Sequence, residues 1–549
     1  MAAIIDTLNK LLFQVAPLGA IAYLFSVAIY RLYFHPLAGV PGPKTCALTG
    51  LYEFWWDCPM VGQFHRRVQE MHDRYGPIVR IKPNEVHIRD PAYFEILFSN
   101  NQKIEKERWF YNIFPDPSST FSTMPNDLYR LRRSAISKPF SANAIDRMEP
   151  LLHEKVKKLF SRLGGLRNTG EAVDIGVAFR ALTMDIASAY VLPSSRDYLE
   201  QPDLGHAMQL SHRAETTLCN WRRHALWLVP LLRRLPGPLS PVEFREALGG
   251  NDFRNHWGRL AIEARNVMST TRDHNDPGIS VLEAVRTSPL LPEHERSFTR
   301  ICSEASGLLG AGVDAPSSAM AGCVYYVCTT PSILAKLRAE LKVLHTSNES
   351  NSNSSRKDSI HDTTTRTTSS PSSTPTLPDL VPYRILEKLP YLQSCIRESL
   401  RLHPPVLSRL PRTSPTATLT YTSPTTRTTH SFPPRTTISM SLPDLHLDPS
   451  IFPDPHAFRP ERWLDASPAE RARMDKAFVP FSRGQRMCVG HELAKRELSV
   501  TLGNLFRVFE MEVEPGTGPE DLASARDFFG PLPERGRGRV GVRVKGLSL

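Results

Sequence analysis

Phe481-Ser482-Arg483-Gly484-Gln485-Arg486-Met487-Cys488-Val489-Gly490, near the C-terminus of this 549-residue chain, sets one cysteine between two glycines and beside two cations. Gly484 permits a tight turn that a side chain would obstruct. Gly490 leaves room where the next helix, predicted over Glu492 to Phe506, begins. A lone cysteine is most often a buried structural thiol. Here the pattern F-x-x-G-x-R-x-C-x-G is the kind of setting in which a thiolate serves as a metal ligand, because metal and N–H dipoles must hold it deprotonated.

The composition is that of a globular protein, 41% hydrophobic and 22% charged. Length alone suggests several domains. The eight cysteines include no C-x-x-C, which points to a reducing compartment and away from a disulfide framework or zinc ribbon. A formal charge of +11 suits nucleic acid, an acidic membrane or an acidic protein. No helix-turn-helix, zinc-finger or aromatic RNA-binding signature supports the first, so no nucleic-acid partner is expected. Arg471, Arg473, Lys476, Arg483, Lys495 and Arg496 flank the cysteine loop, either as a solvated face or as a docking face for an acidic partner.

Leu11 to Tyr30 carries no formal charge. As a helix it would span about 30 Å, a bilayer core. With no small-residue cleavage site, a retained N-terminal anchor over residues 1–31 is expected, and a second domain over 32–549. His35 to Lys44, rich in Pro and Gly, cannot continue the helix. Ile78 to Ile81 and Val86 to Ile88 alternate as strands around a Pro83-Asn84 turn. Ile104 to Met124 is aromatic-rich, through Trp109, Phe110, Tyr111, Phe114 and Phe121, as core or as pocket wall. A helix opens at Asn126 with Tyr129 and Arg133 on one face. Helical segments follow, broken at Gly164-Gly165, Pro236-Gly237-Pro238 and Asp276-Pro277-Gly278. Ala225 to Leu232 is apolar enough to dip into a membrane or to join the core. Phe298 to Val327 is the candidate long central helix. Thr346 to Pro378, dominated by Ser, Thr and Asn, is expected to be a disordered surface insertion. Thr413 to Thr437 reads as a hairpin region.

The cysteine loop resembles the heme-ligand loop of the cytochrome P-450 superfamily, particularly microsomal members of fungal secondary metabolism. Three further motifs follow the family order: Ala311-Gly312-Val313-Asp314, Glu398-Ser399-Leu400-Arg401, and Phe458-Arg459-Pro460-Glu461-Arg462-Trp463. The resemblance implies a mainly α fold with small β-sheets, and Cys488 as thiolate ligand to the iron of heme b. Phe481 would cover the sulfur, and Arg486, Arg133 and Arg412 would bind heme propionates. Arg132 would face solvent or a redox partner. Glu398, Arg401 and Arg462 would form a structural triad. Gly312 would line the oxygen groove. The family's usual Thr is replaced by Ala315, followed by Pro316, so Asp314 and Ser318 are the candidates for proton relay.

The implied activity is a monooxygenase, an oxidoreductase fed with NADPH electrons by a reductase flavoprotein. It would hydroxylate or epoxidise a lipophilic secondary metabolite, terpenoid or polyketide. The implied location is the endoplasmic reticulum membrane, single-pass, with the catalytic domain cytosolic. A reductase-independent isomerase or dehydratase, and a non-catalytic heme-binding protein, are the alternatives.

Overall fold

The computed structural model describes residues 16–100, 104–114, 118–228, 261–269, 280–355, 377–534 and 538–547. It is mainly helical with small sheets, as expected. Ala16–Ile29 is a fully exposed apolar helix that continues through a π turn, Tyr30–Phe34. The two make a 19-residue segment long and apolar enough to cross a membrane. The start of the expected span, Leu11 to Val15, lies outside the described residues. The chain after it is tied to the domain. Arg80 donates to the Arg31 carbonyl at 2.8 Å, and Leu37 and Val40 are buried with Ile78 and Val86.

The largest sheet runs in the order Ile78–Lys82, Glu85–Ile88, Thr437–Ser439, Arg412–Thr413, Glu105–Lys106. It joins segments more than 300 residues apart, so the sequence around Lys106 and Arg412 meets only in the folded chain. Leu419–Thr422 and Thr429–Phe432 pair as the expected hairpin. The turn after it places Arg435, rather than a glycine, at φ 68°.

The core is built on the central helix, Phe298–Thr329, about 48 Å long at 1.5 Å per residue. It packs along Ile175–Val191, a helix capped by Asp174, whose carboxylate accepts from the Gly176 and Val177 N–H groups. Pro390–Leu402 and His491–Val508 close its other flank. Pro331–Ser355 extends ten residues past the point where the polar insertion was expected to begin; 346–355 contain neither Gly nor Pro to stop a helix. Residues 356–376, the rest of that insertion but for its last two residues, lie outside the described residues. So do the breaks at 236–238 and 276–278 and residues 229–232 of the apolar 225–232 segment, in whose other half Ala225 is buried and Leu226 and Trp227 are exposed.

Candidate heme-thiolate site

The Cys488 loop is shaped by its backbone. Ser482 and Gly484 take φ values of 58° and 70°. A Cβ on Gly484 would sit 1.9 Å from the Phe98 carbonyl oxygen, so only glycine fits. The Cys488 N–H donates to the Phe481 carbonyl at 3.0 Å, closing the turn. His491–Val508 starts at once, and a Cβ on Gly490 would meet no protein atom. Cys488 is the one exposed cysteine of the eight; the others are buried or partly buried. Desolvation by the surrounding protein raises its thiol pKa, while the Gly490 N–H and Arg133 pull it down. A metal cation is what such a thiol needs to ionise.

Arg133 is half-buried and Arg412 buried. Arg412 donates to the Tyr111 hydroxyl at 2.7 Å. Arg486 donates to the Thr123 and Met124 carbonyls, each at 2.7 Å, and lies 3.6 Å over the Tyr129 ring. Its Nε is buried without an acceptor. Tyr129 in turn donates to the Gln485 carbonyl at 2.9 Å, clamping the loop. Among the described residues no carboxylate forms an ion pair with Arg133, Arg412 or Arg486. Of the other buried arginines, Arg409 holds Glu85 and Glu53, and Arg401 and Arg462 hold Glu398, whereas Arg80 and Arg507 rest on backbone carbonyls. An uncompensated buried cation is costly. Three such cations around one exposed thiol fit a cofactor that brings its own carboxylates, as heme does, and Cys488 is the residue that would hold its iron.

The triad forms as expected, with an addition. Glu398 accepts from Arg401 at 2.7 and 3.0 Å and from Arg462 at 2.9 Å. The Trp463 indole N–H supplies a further donor at 2.9 Å, and the Arg459 N–H one at 3.0 Å. Arg401 also holds the His446 carbonyl, and His446 Nε2 accepts from the Val479 N–H at 3.0 Å. The lock therefore reaches the chain that enters the Cys488 loop.

The central helix sets two of the expected residues against Ile175–Val191. A Cβ on Gly312 would lie 3.1 Å from Ala187, so its smallness serves the approach of that helix. The exposed Ala311 and half-buried Ala315 lie one turn apart on the other face. Asp314 is turned toward the same neighbouring helix, 3.0 Å from Arg180 Nε, in a small cleft shared with Gln209 and Tyr198. Ser318 is half-buried on the Ala311 and Ala315 side, and among the described residues its hydroxyl has no hydrogen bond. Pro316 sits inside the unbroken helix. The Val313 carbonyl one residue beyond Gly312 takes the hydroxyls of Ser317 and Thr183, at 2.8 and 3.1 Å.

Arg132, expected toward solvent, is buried. It holds Glu295 with two bonds of 2.7 and 2.9 Å and donates to Thr123 at 2.8 Å. Arg300 and Glu304 continue the chain of charges to Thr120, so the loop 118–124 is fixed to the central helix by buried ion pairs. That loop carries Phe121, which meets Phe114 at 5.0 Å and Phe529 at 5.7 Å. Phe529 holds φ 77°, a strained value for a bulky residue, at the tip between Arg526–Phe528 and Gly530–Leu532. Of the expected wall, Phe110 and Tyr111 are core and Phe121 is exposed. Around the loop, Arg483 is bound to Glu95 and the buried Arg496 to Asp146 and Glu492, leaving Arg473 and Lys476 as the exposed cations without an ion pair among the described residues.

Sequence reasoning missed Lys106, Trp463, Glu295 and Phe529. For Lys106 a signal existed: in a strand it shares a face with Ile104, not with Glu105 or Glu107.

The family model for cytochrome P450 matches residues 47–360 and 375–533. The cytochrome P450 monooxygenase sdnE of Sordaria araneosa is 32% identical over 96% of this chain and 97% of its own. The tryptophan 6-hydroxylase fscE of Fusarium equiseti is also 32% identical, over 93% and 92%. The structure of a retinoic acid-bound cyanobacterial CYP120A1 has the same fold, with a TM-score of 0.63 at 18% identity, covering 87% of this chain and 94% of that one. The family match takes in the cysteine loop, the Glu398 triad and the central helix together, and the chain therefore belongs to the cytochrome P450 family, as a heme-dependent monooxygenase.

Proposed function

We propose that this chain is a membrane-anchored monooxygenase of fungal secondary metabolism. It takes NADPH electrons from a reductase flavoprotein and hydroxylates or epoxidises a lipophilic intermediate, terpenoid or polyketide. The observation that carries the reading is the exposed Cys488, set near the guanidiniums of Arg133, Arg412 and Arg486, which have no carboxylate partner among the described residues. Heme, when bound, supplies oxygen activation, and the thiolate's electron donation favours O–O cleavage. The chain's own residues do the rest. Arg133, Arg412 and Arg486 hold propionates, Phe481 shields the sulfur, and the Phe114, Phe121 and Phe529 wall excludes water from an apolar substrate.

Asp314 is the proton source in this reading, released from Arg180 to reach Ser318. Ala16–Phe34 supports single-pass anchoring in the endoplasmic reticulum with the domain cytosolic. The exposed Leu51, Trp55, Leu226 and Trp227 support a greasy rim for substrate access. A planar aromatic substrate is the second reading. The edge-to-face aromatic wall favours it, and the relative fscE is named for hydroxylating tryptophan.

The test is turnover in microsomes with and without the reductase, scored by product from a panel of terpenoid, polyketide and indole substrates. Product that depends on NADPH and reductase is expected. Product formed equally without them would establish the isomerase or dehydratase alternative, and a protein that gives no substrate-induced spectral change with any of the panel would be a heme-binding protein only.

A further inference from the structure

In the loop 118–124 the Phe121 ring is 39% exposed, while Ser119, Thr120, Ser122 and Thr123 around it are buried. Their small polar side chains offer little apolar area to hold a loop in place. Hydrogen bonds to buried charges do so instead. Glu304 accepts from the Thr120 N–H at 2.9 Å and from its hydroxyl at 2.8 Å, and that hydroxyl accepts from Arg300 at 3.0 Å. The Thr123 hydroxyl accepts from Arg132 at 2.8 Å and donates to the Ser119 carbonyl at 2.8 Å. From Thr123 to Thr120 the buried charges alternate in sign, Arg132, Glu295, Arg300, Glu304. On the other side of Phe121, Lys106 donates to its carbonyl at 2.7 Å.

Glu304 shares one face of the central helix with Ala311 and Ala315, at positions i, i+7 and i+11. On the same side Gly307 lets the loop come close: a Cβ there would lie 3.3 Å from Ser119 Cβ. The loop is thus docked about 10 Å along the helix axis from Ala311, on the stripe that Ala311 and Ala315 continue. A displaced loop would leave cations and carboxylates buried without partners, so the charges favour one position of it.

We propose that Glu304 is a positioning residue of the substrate pocket: through Thr120 it sets where the Phe121 ring stands, and so which bulky aromatic or apolar ligands the pocket accepts. This rests on the heme-site assignment and on Phe121 as pocket wall, not on the identity of the substrate.

The experiment uses the full-length membrane protein and spectral titration with two ligands of the iron. Imidazole reports access to the heme alone, and 1-tritylimidazole, with its three phenyl rings, needs the wall. Phe121→Ala removes the ring. Thr120→Val removes the hydroxyl but keeps the shape and the Arg300–Glu304 pair, and Glu304→Gln removes the charge. All three are expected to weaken 1-tritylimidazole about fivefold. Their imidazole affinities should stay within about twofold of the parent. Neither Thr120→Val nor Glu304→Gln should add to the loss once Phe121→Ala is present, and Thr120→Ser, which keeps the hydroxyl, should bind like the parent. If Glu304→Gln yields no heme-loaded protein, Thr120→Val decides alone. A merely structural role would lower the melting temperature and leave the ratio of the two affinities unchanged, and that result overturns the proposal. A loss that adds in full to that of Phe121→Ala overturns it too. Two other results overturn it through its premises. A parent that gives no imidazole shift lacks the heme site, and a Phe121→Ala protein that binds 1-tritylimidazole like the parent lacks the wall.

Discussion

At the scale of single residues, the site turns on which groups have partners. Cys488→Ser is expected to abolish the thiolate-type absorption of the reduced carbon monoxide complex while the protein still reaches membranes, because an alcohol oxygen is a poor donor to iron. A Soret band unchanged from the parent would sink the assignment. Asp314 poses a sharper question, since its carboxylate rests on Arg180. If it relays protons, Asp314→Asn should divert NADPH electrons into peroxide, while Ala315→Thr keeps or improves coupling. NADPH use, peroxide and product measured for both decide it. An Asp314→Asn protein as well coupled as the parent would show that the carboxylate serves only to join the central helix to Ile175–Val191. Of these residues Cys488 was legible from sequence, since its neighbours in the chain define its role. The orientation of Asp314 was not, because its partner lies 134 residues away.

At the scale of elements, Glu398 joins the helix Pro390–Leu402 to the segment Pro460–Trp463. Removing its charge leaves two buried guanidiniums unpaired, a loss of roughly 3–5 kcal/mol. Trp463→Phe removes one neutral donor and should cost about 1–3 kcal/mol. Glu398→Gln is thus expected to give little heme-loaded protein, and Trp463→Phe a folded protein with a lowered melting temperature. Equal melting temperatures for the two variants would mean that the indole bond, not the ion pairs, holds the segment. The helix Pro331–Ser355 leads to the other element-scale test. Deleting 356–376, with a short flexible linker in their place, is expected to leave heme content and turnover unchanged. The segment is polar throughout, and the family match lapses between 360 and 375. Loss of heme on deletion would show that the segment packs.

At the scale of the whole molecule, buried histidines set the response to acid. Burial pushes His72 and His403 down to about 4 and His446 to about 3, and holds His87 well below its usual value. In the unfolded chain each titrates near ~6.5. Between there and the folded values the unfolded state binds more protons, so stability falls as pH falls. Asp444, pushed up to about 7 by burial, opposes this by taking up a proton in the folded state first. Burial also lowers His35, His65, His153 and His430 and raises Glu107, Asp185, Glu497 and Asp527, so that eight histidines stand against five carboxyl groups among the described residues and leave a net loss. His446 also accepts the Val479 N–H, so protonating it frees the chain entering the cysteine loop. The urea midpoint is therefore expected to drop between about pH 6.5 and 4, and the heme content of the folded protein to hold until the pH approaches the His446 value. A midpoint that rises over that range would contradict the sign. By itself, the sequence determined the helical fold, the cysteine loop, the triad and the apolar N-terminal segment. Each rests on spacing along the chain, where a turn, a helix face or a hydrophobic run is set by near neighbours. Only the tertiary structure decided that Arg132 is paired with Glu295, that Gly312 faces Ala187, and that Lys106 stands against Arg412. Those facts depend on burial and on partners that distant segments supply, and a residue's type does not state whether an opposite charge will meet it.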